Sequence, residues 1–138
     1  RAEEVAAYGY GEVALATLPR DRWGALGLNP GAESGTICSA PLTPPADGGA
    51  LTLNAEGVVG LIVDLLDERF QPLPGFQEGE VSGPDGLDCP VRWAGHELGE
   101  LSGRRVRCQI RLRRLTETAP RLYAIGIVGQ GSAAPTSA

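Results

Sequence analysis

Residues 58–76 read VVGLIVDLLDERFQPLPGF. Val59, Leu61, Val63 and Leu65 alternate with other residues at a period of two, the spacing of a half-buried strand. Asp67, Glu68, Pro72, Pro74 and Gly75 follow at once and make continuation as strand or helix unfavourable. The rest of the chain repeats this unit of short strand and turn. It contains 20 glycines and 11 prolines in 138 residues. That density of punctuation suits short strands better than long helices, and the length suits one domain.

Working outward, residues 1–11 read as a leader, residues 12–128 as the folded domain, and residues 129–138 as a flexible tail or linker. Strands are expected over Glu12–Leu18, closed by Pro19, and over Gly35–Leu42. Ala50–Asn54 and Val58–Asp67 read as a hairpin joined by Ala55–Gly57. Glu68–Asp88 reads as one long irregular loop. Cys89–Ala94 is a strand with Val91 and Trp93 inward, and Leu98–Gly103 a short turn or helical turn. Arg104–Leu115 is the cleanest alternating strand, and Arg121–Val128 the last. About eight strands with no amphipathic helix between them exclude parallel crossovers. The expected fold is all-β: an antiparallel two-sheet sandwich, jelly-roll-like, with a closed barrel as the alternative.

The formal net charge of −5 argues against a nucleic-acid partner. No apolar run is long enough to span a membrane, and no signal peptide is visible. The chain begins at Arg1 and contains no methionine, so it reads as a processed protein or an excised domain. All 12 basic residues are arginine. Arg104, Arg105, Arg107, Arg111, Arg113 and Arg114 cluster, and alternation makes them the solvated side of a strand or a basic ligand face. Cys38, Cys89 and Cys108 match no metal spacing. Cys108 is in register with Val106, Ile110 and Leu112 and should point into the core. A Cys38–Cys108 bridge requires their strands to face each other.

Chemistry-bearing residues are few. His96 is the single histidine and lacks a nucleophile elbow, although Ser82 or Ser102 is available in principle. A glycosidase needs two carboxyls flanking a cleft. The pairs on offer are Asp64 with Asp67 and Glu68, and Glu78 with Glu80. Asp64 alternates with inward residues and should face solvent. No catalytic residue is assigned, and the chain reads as a non-enzyme. No cofactor is assigned either; loop carboxylates offer Ca²⁺ only a weak signal, without a DxDxDG-type run. Sugar-binding modules stack pyranose rings on exposed aromatics. Among Tyr8, Tyr10, Trp23, Phe76, Trp93 and Tyr123, the last two alternate with core residues. Trp23 sits in a glycine-bearing loop, either exposed or plugging one end of the fold. Trp23 with Arg22 and Asp21 is the candidate ligand-binding set.

Several phrases in order resemble a β-sandwich module of bacterial secreted proteins, found at the C-terminal end of a glycoside-hydrolase-like β-propeller. They are LPRDRWGAL (18–26), GAESGTICSAPLT (31–43), LTLNAEG (51–57), VDLLDERFQPLPGF (63–76), VRWAG (91–95), LSGRRVRCQIRLR (101–113) and RLYAI (121–125). The resemblance covers residues 12–128. It implies a non-catalytic accessory module in an extracellular or periplasmic setting, binding glycan weakly or supporting a neighbouring carbohydrate-active domain. The family's Leu-Asp-x-x-Gly-x-Pro turn is matched by Leu66–Pro72, with Phe70 at the glycine position. The alternative is a protein-interaction or assembly domain that pairs through a strand edge or the arginine-rich strand.

Overall fold

A computed structural model describes Gly11 and residues 13–129. The leader assigned to 1–11 and the tail assigned to 129–138 lie outside the described residues, apart from Gly11 and Gly129. The described residues form eight strands: β1 (Leu26–Gly27), β2 (Ser34–Cys38), β3 (Ala50–Glu56), β4 (Leu61–Asp67), β5 (Gly79–Val81), β6 (Gly86–Arg92), β7 (Val106–Arg113) and β8 (Arg121–Val128). The remaining regular elements are two short 3₁₀ turns, Val58–Gly60 and Leu98–Leu101. The fold is all-β, as the strand-and-turn pattern predicts.

Hydrogen bonds join the strands in the order β1-β8-β3-β6-β5-β4-β7-β2, every neighbour antiparallel. The ladder is one sheet, not two separate ones. Its continuity depends on β6, which pairs with β3 up to Pro90 and with β5 at Val91 and Arg92. Proline lacks the N–H that an unbroken central ladder needs, so it is tolerated where the strand changes partners. The sheet curls until its two edges approach each other. A Cβ placed on Gly35 of β2 would lie 3.1 Å from Cδ2 of Leu28, just past β1.

The concave side holds the core. Leu51, Leu53 and Ala55 of β3 meet Leu61, Val63 and Leu65 of β4 and Val106, Cys108, Ile110 and Leu112 of β7. Val63, Leu65, Val106, Cys108 and Ile110 are each 0% exposed, and burying each leucine or isoleucine is worth about 1.5–3 kcal/mol. Cys89, Val91 and Trp93 point inward as their alternation requires. Trp93 Nε1 donates to Val63 O at 3.1 Å, and the Phe76 ring packs edge-on at 5.6 Å. The indole is thereby satisfied inside the core.

Four expectations are corrected. Residues 13–18 form no strand and are exposed; the alternating side chains have no neighbouring ladder to join. Strands β3 and β4 do not make a hairpin. Gly57 takes a left-handed conformation at φ 65°, where an added Cβ would lie 2.8 Å from Pro120 Cα. The 3₁₀ turn that follows carries the chain away from β3, and Val59 within it is 62% exposed. The expected loop 68–88 contains β5 and the start of β6. Its first part lies along β4, with Leu73 N donating to Leu65 O and Leu65 N to Phe76 O. Finally, Tyr123 does not share the face of Ile125 and Ile127. Asn54 pairs with Ala124 and Ala55 with Leu122, so Tyr123 is the extra residue of a bulge and the alternation shifts by one.

Candidate binding surfaces

The predicted set lies on the convex side of β3. Asn54 points there, only 3% exposed, between two irregularities of register. One is the bulge at Tyr123; the other lets Leu87 and Asp88 of β6 oppose Asn54 alone. The bulges spread the neighbouring strands around a polar side chain, and the loop before β1 covers it. Arg22 Nε donates to Asn54 Oδ1 at 3.0 Å, and Asn54 Nδ2 donates to the Arg20 carbonyl at 2.6 Å. Arg22 Nη1 reaches Glu56 Oε1 at 2.8 Å, while its guanidinium carbon lies 4.5 Å from the centre of the Tyr123 ring. Arg20 Nη2 bonds Asp88 Oδ1 at 2.6 Å, and that carboxylate raises the Arg20 pKa.

This clamp changes the expected division of labour. Arg22 is engaged by Asn54, Glu56 and Tyr123, and these contacts hold the loop. Trp23, the next residue, is 86% exposed. Asp21 is also exposed, in a left-handed conformation at φ 58°, with Arg20 Nε 3.7 Å from its carboxylate. The clamp therefore fixes the backbone that carries the open Trp23 indole and, two residues before it, the exposed Asp21. Of the other aromatics, Phe76 and Trp93 are core, and Tyr8 and Tyr10 lie outside the described residues.

Beside Trp23 runs an apolar slot of about 500 Å³ between Gly24–Leu26 and Ile37–Ser39, floored by residues 122–125. A second cleft, about 860 Å³, lies near the start of β3 and is lined by Arg92, His96, Glu97 and Glu100 among others. His96 Nδ1 is 3.1 Å from Glu100 Oε1, and its ring lies 5.3 Å from that of Phe76. The Glu97 N–H, with His96 second, lowers the Glu100 carboxyl from its ordinary value. Ser82 and Ser102 turn their hydroxyls to the carbonyls of Pro90 and Pro45, not to His96.

Asp64, Asp67 and Glu68 each have partners of their own. Asp64 faces away from the core as its alternation predicts, yet it is buried instead of solvated. Arg111 and the Glu78 N–H occupy its oxygens. Asp67 Oδ1 accepts from the N–H groups of Arg69 and Gln71, which shapes its own turn. Glu68 pairs with Arg105 at 3.1 Å. The arginine cluster is partly spent as well: Arg107 lies 4.2 Å over the Phe70 ring and Arg111 holds Asp64. Among the described residues no group of three His, Cys, Asp or Glu side chains gathers, and no helix is long and apolar enough to cross a membrane.

Sequence reasoning missed Asn54 and the slot. A polar residue inside LTLNA was the available signal for the first. No local pattern marks the second, because two edges distant in the sheet create it. No family model matches this sequence, and searches of curated proteins and of solved structures give no match.

Proposed function

We propose that the chain is a non-catalytic accessory module of an extracellular or periplasmic carbohydrate-active protein, binding glycan weakly through Trp23. In this reading the curled sheet acts as the two layers of a jelly-roll-like sandwich. The observation that carries it is the 86% exposure of Trp23 on a loop pinned by Arg22. Pyranose stacking needs a flat apolar ring presented without reorganisation, and a pinned loop supplies one at low entropic cost. Asp21, two residues before it, offers a hydroxyl-binding carboxylate. One ring and one carboxylate set the affinity near the millimolar level, about −4 kcal/mol.

The test is a glycan array on the purified domain, with and without Ca²⁺, beside Trp23→Ala. The expected outcome is retention by the wild type and its loss in the variant, with the melting temperature unchanged because so little of the indole is buried. Equal retention by both proteins overturns the reading. A second reading, assembly through a strand edge, is favoured by the slot and by the outer edge of β2, which no other strand among the described residues covers.

A further inference from the structure

Strand β8 pairs with β3 along its length on one side, but with β1 only at Leu122 and Arg121 on the other. Strand β2 pairs with β7 and, among the described residues, with no other strand. The two edges face each other across the apolar slot, where Leu26 is exposed and Ile37 and Ile125 are half-buried. The edge of β2 reads SGTIC. It has no charge and no proline, the devices that keep natural edges from pairing.

The same chain carries an unpaired segment with strand character. Residues 13–18 read VALATL, and Val13 and Leu15 are 103% and 92% exposed. Their spacing of two places both side chains on one face of an extended strand. The small Ala14 and Ala16 fall on the other. This segment does not lie in its own slot: Val13 and Leu15 are open to solvent, and Arg20, two residues past Leu18, is held over β3 and β6 through Asn54, Leu87 and Asp88.

We infer that residues 13–18 of one copy pair as an added strand on the free edge of β2 in a second copy, with Val13 and Leu15 over the slot. Reciprocal exchange closes a two-fold dimer. It pairs the backbone of the segment, covers Ile37 and Ile125, and nearly completes the ring of strands. The inference concerns a strand edge and is independent of glycan binding at Trp23.

Sedimentation velocity on the full chain from about 5 to about 500 μM tests it, a span set by an exchange well below the standard interface of about 1,600 Å². The wild type should shift from monomer to dimer across that range. Leu15→Asp, in an exposed segment outside the fold, and Thr36→Pro, on the β2 edge, should each remain monomeric. Mixing the two should restore a dimer, because each keeps the half that the other lacks. A wild type that stays monomeric throughout overturns the proposal, and so does a dimer that survives Leu15→Asp. Glycan retention by Leu15→Asp should equal that of the wild type, so the two proposals fail separately.

Discussion

The Asp64 carboxylate accepts two bonds from the Arg111 guanidinium, from Nε at 2.7 Å and from Nη2 at 3.1 Å. The pair joins β4 to β7 diagonally across the convex face, with the Asp64 side chain 4% exposed and that of Arg111 38% exposed. The Glu78 N–H completes the carboxylate shell at 2.6 Å and anchors the residue before β5.

This asymmetry of burial orders the expected losses. Arg111→Met strands a buried carboxylate and should cost about 3–5 kcal/mol. Asp64→Asn keeps an acceptor for both donors and should cost about 1–2 kcal/mol. The double variant should lose less than the sum, since one network is being removed twice. Urea unfolding of the three variants at pH 7 gives the comparison. Equal losses in the two single variants would refute the assignment of Asp64 as the buried member.

Phe70 takes a left-handed conformation at φ 63° although it is not a glycine. A left-handed residue with a side chain is strained by about 1–2 kcal/mol. The Arg107 guanidinium, 4.2 Å over the Phe70 ring, returns about 0.5–1 kcal/mol at an exposed site. Phe70→Gly should therefore leave stability unchanged or raise it by up to about 1 kcal/mol. Phe70→Ala, which keeps the strain and loses the ring contact, should lower it by about 0.5–1 kcal/mol. Thermal melts decide the order, and a glycine variant less stable than the alanine variant would contradict this account.

The three cysteines are free and differ sharply in environment. Cys38 is exposed, Cys89 is 2% exposed and Cys108 is 0% exposed. Burial pushes the Cys108 thiol up to about 12 and raises that of Cys89 as well. Iodoacetamide at pH 8 should modify one thiol rapidly in the native protein, and Cys38→Ser should abolish that phase. The unfolded thiol ionises near a pKa of about 8.5, so the Cys108 contribution to stability is full below that value and is lost as pH rises toward 12. The stability gap between wild type and Cys108→Ala should accordingly narrow by about 2 kcal/mol from pH 7 to pH 10. A gap that widens would contradict the shift.

The strands whose side chains meet one common core were legible as alternation: Val106–Arg113 shows it over its whole length, and Leu61–Leu65 shows it in the stretch with which the reading began. Turn chemistry was legible too: the strand was expected to end at Asp67, before Glu68, Pro72 and Pro74, and β4 ends there. What misled was local pattern without a partner. Val13 and Leu15 alternate as well as any core strand, but alternation says nothing of whether a ladder lies alongside. Tyr123 fell on the wrong face because one bulge reverses every inference from parity.

By itself, then, the amino-acid order determined that this chain is made of short antiparallel strands and which faces of most of them are apolar, since period and punctuation are properties of neighbouring residues. Only tertiary structure decided that Asp64 is buried, that Arg22 serves Asn54 and Glu56, and that Trp23 is left open. Those outcomes depend on which distant strands lie side by side. Pairing at such separations is settled by the closing of the whole sheet, and no local stretch of sequence records it.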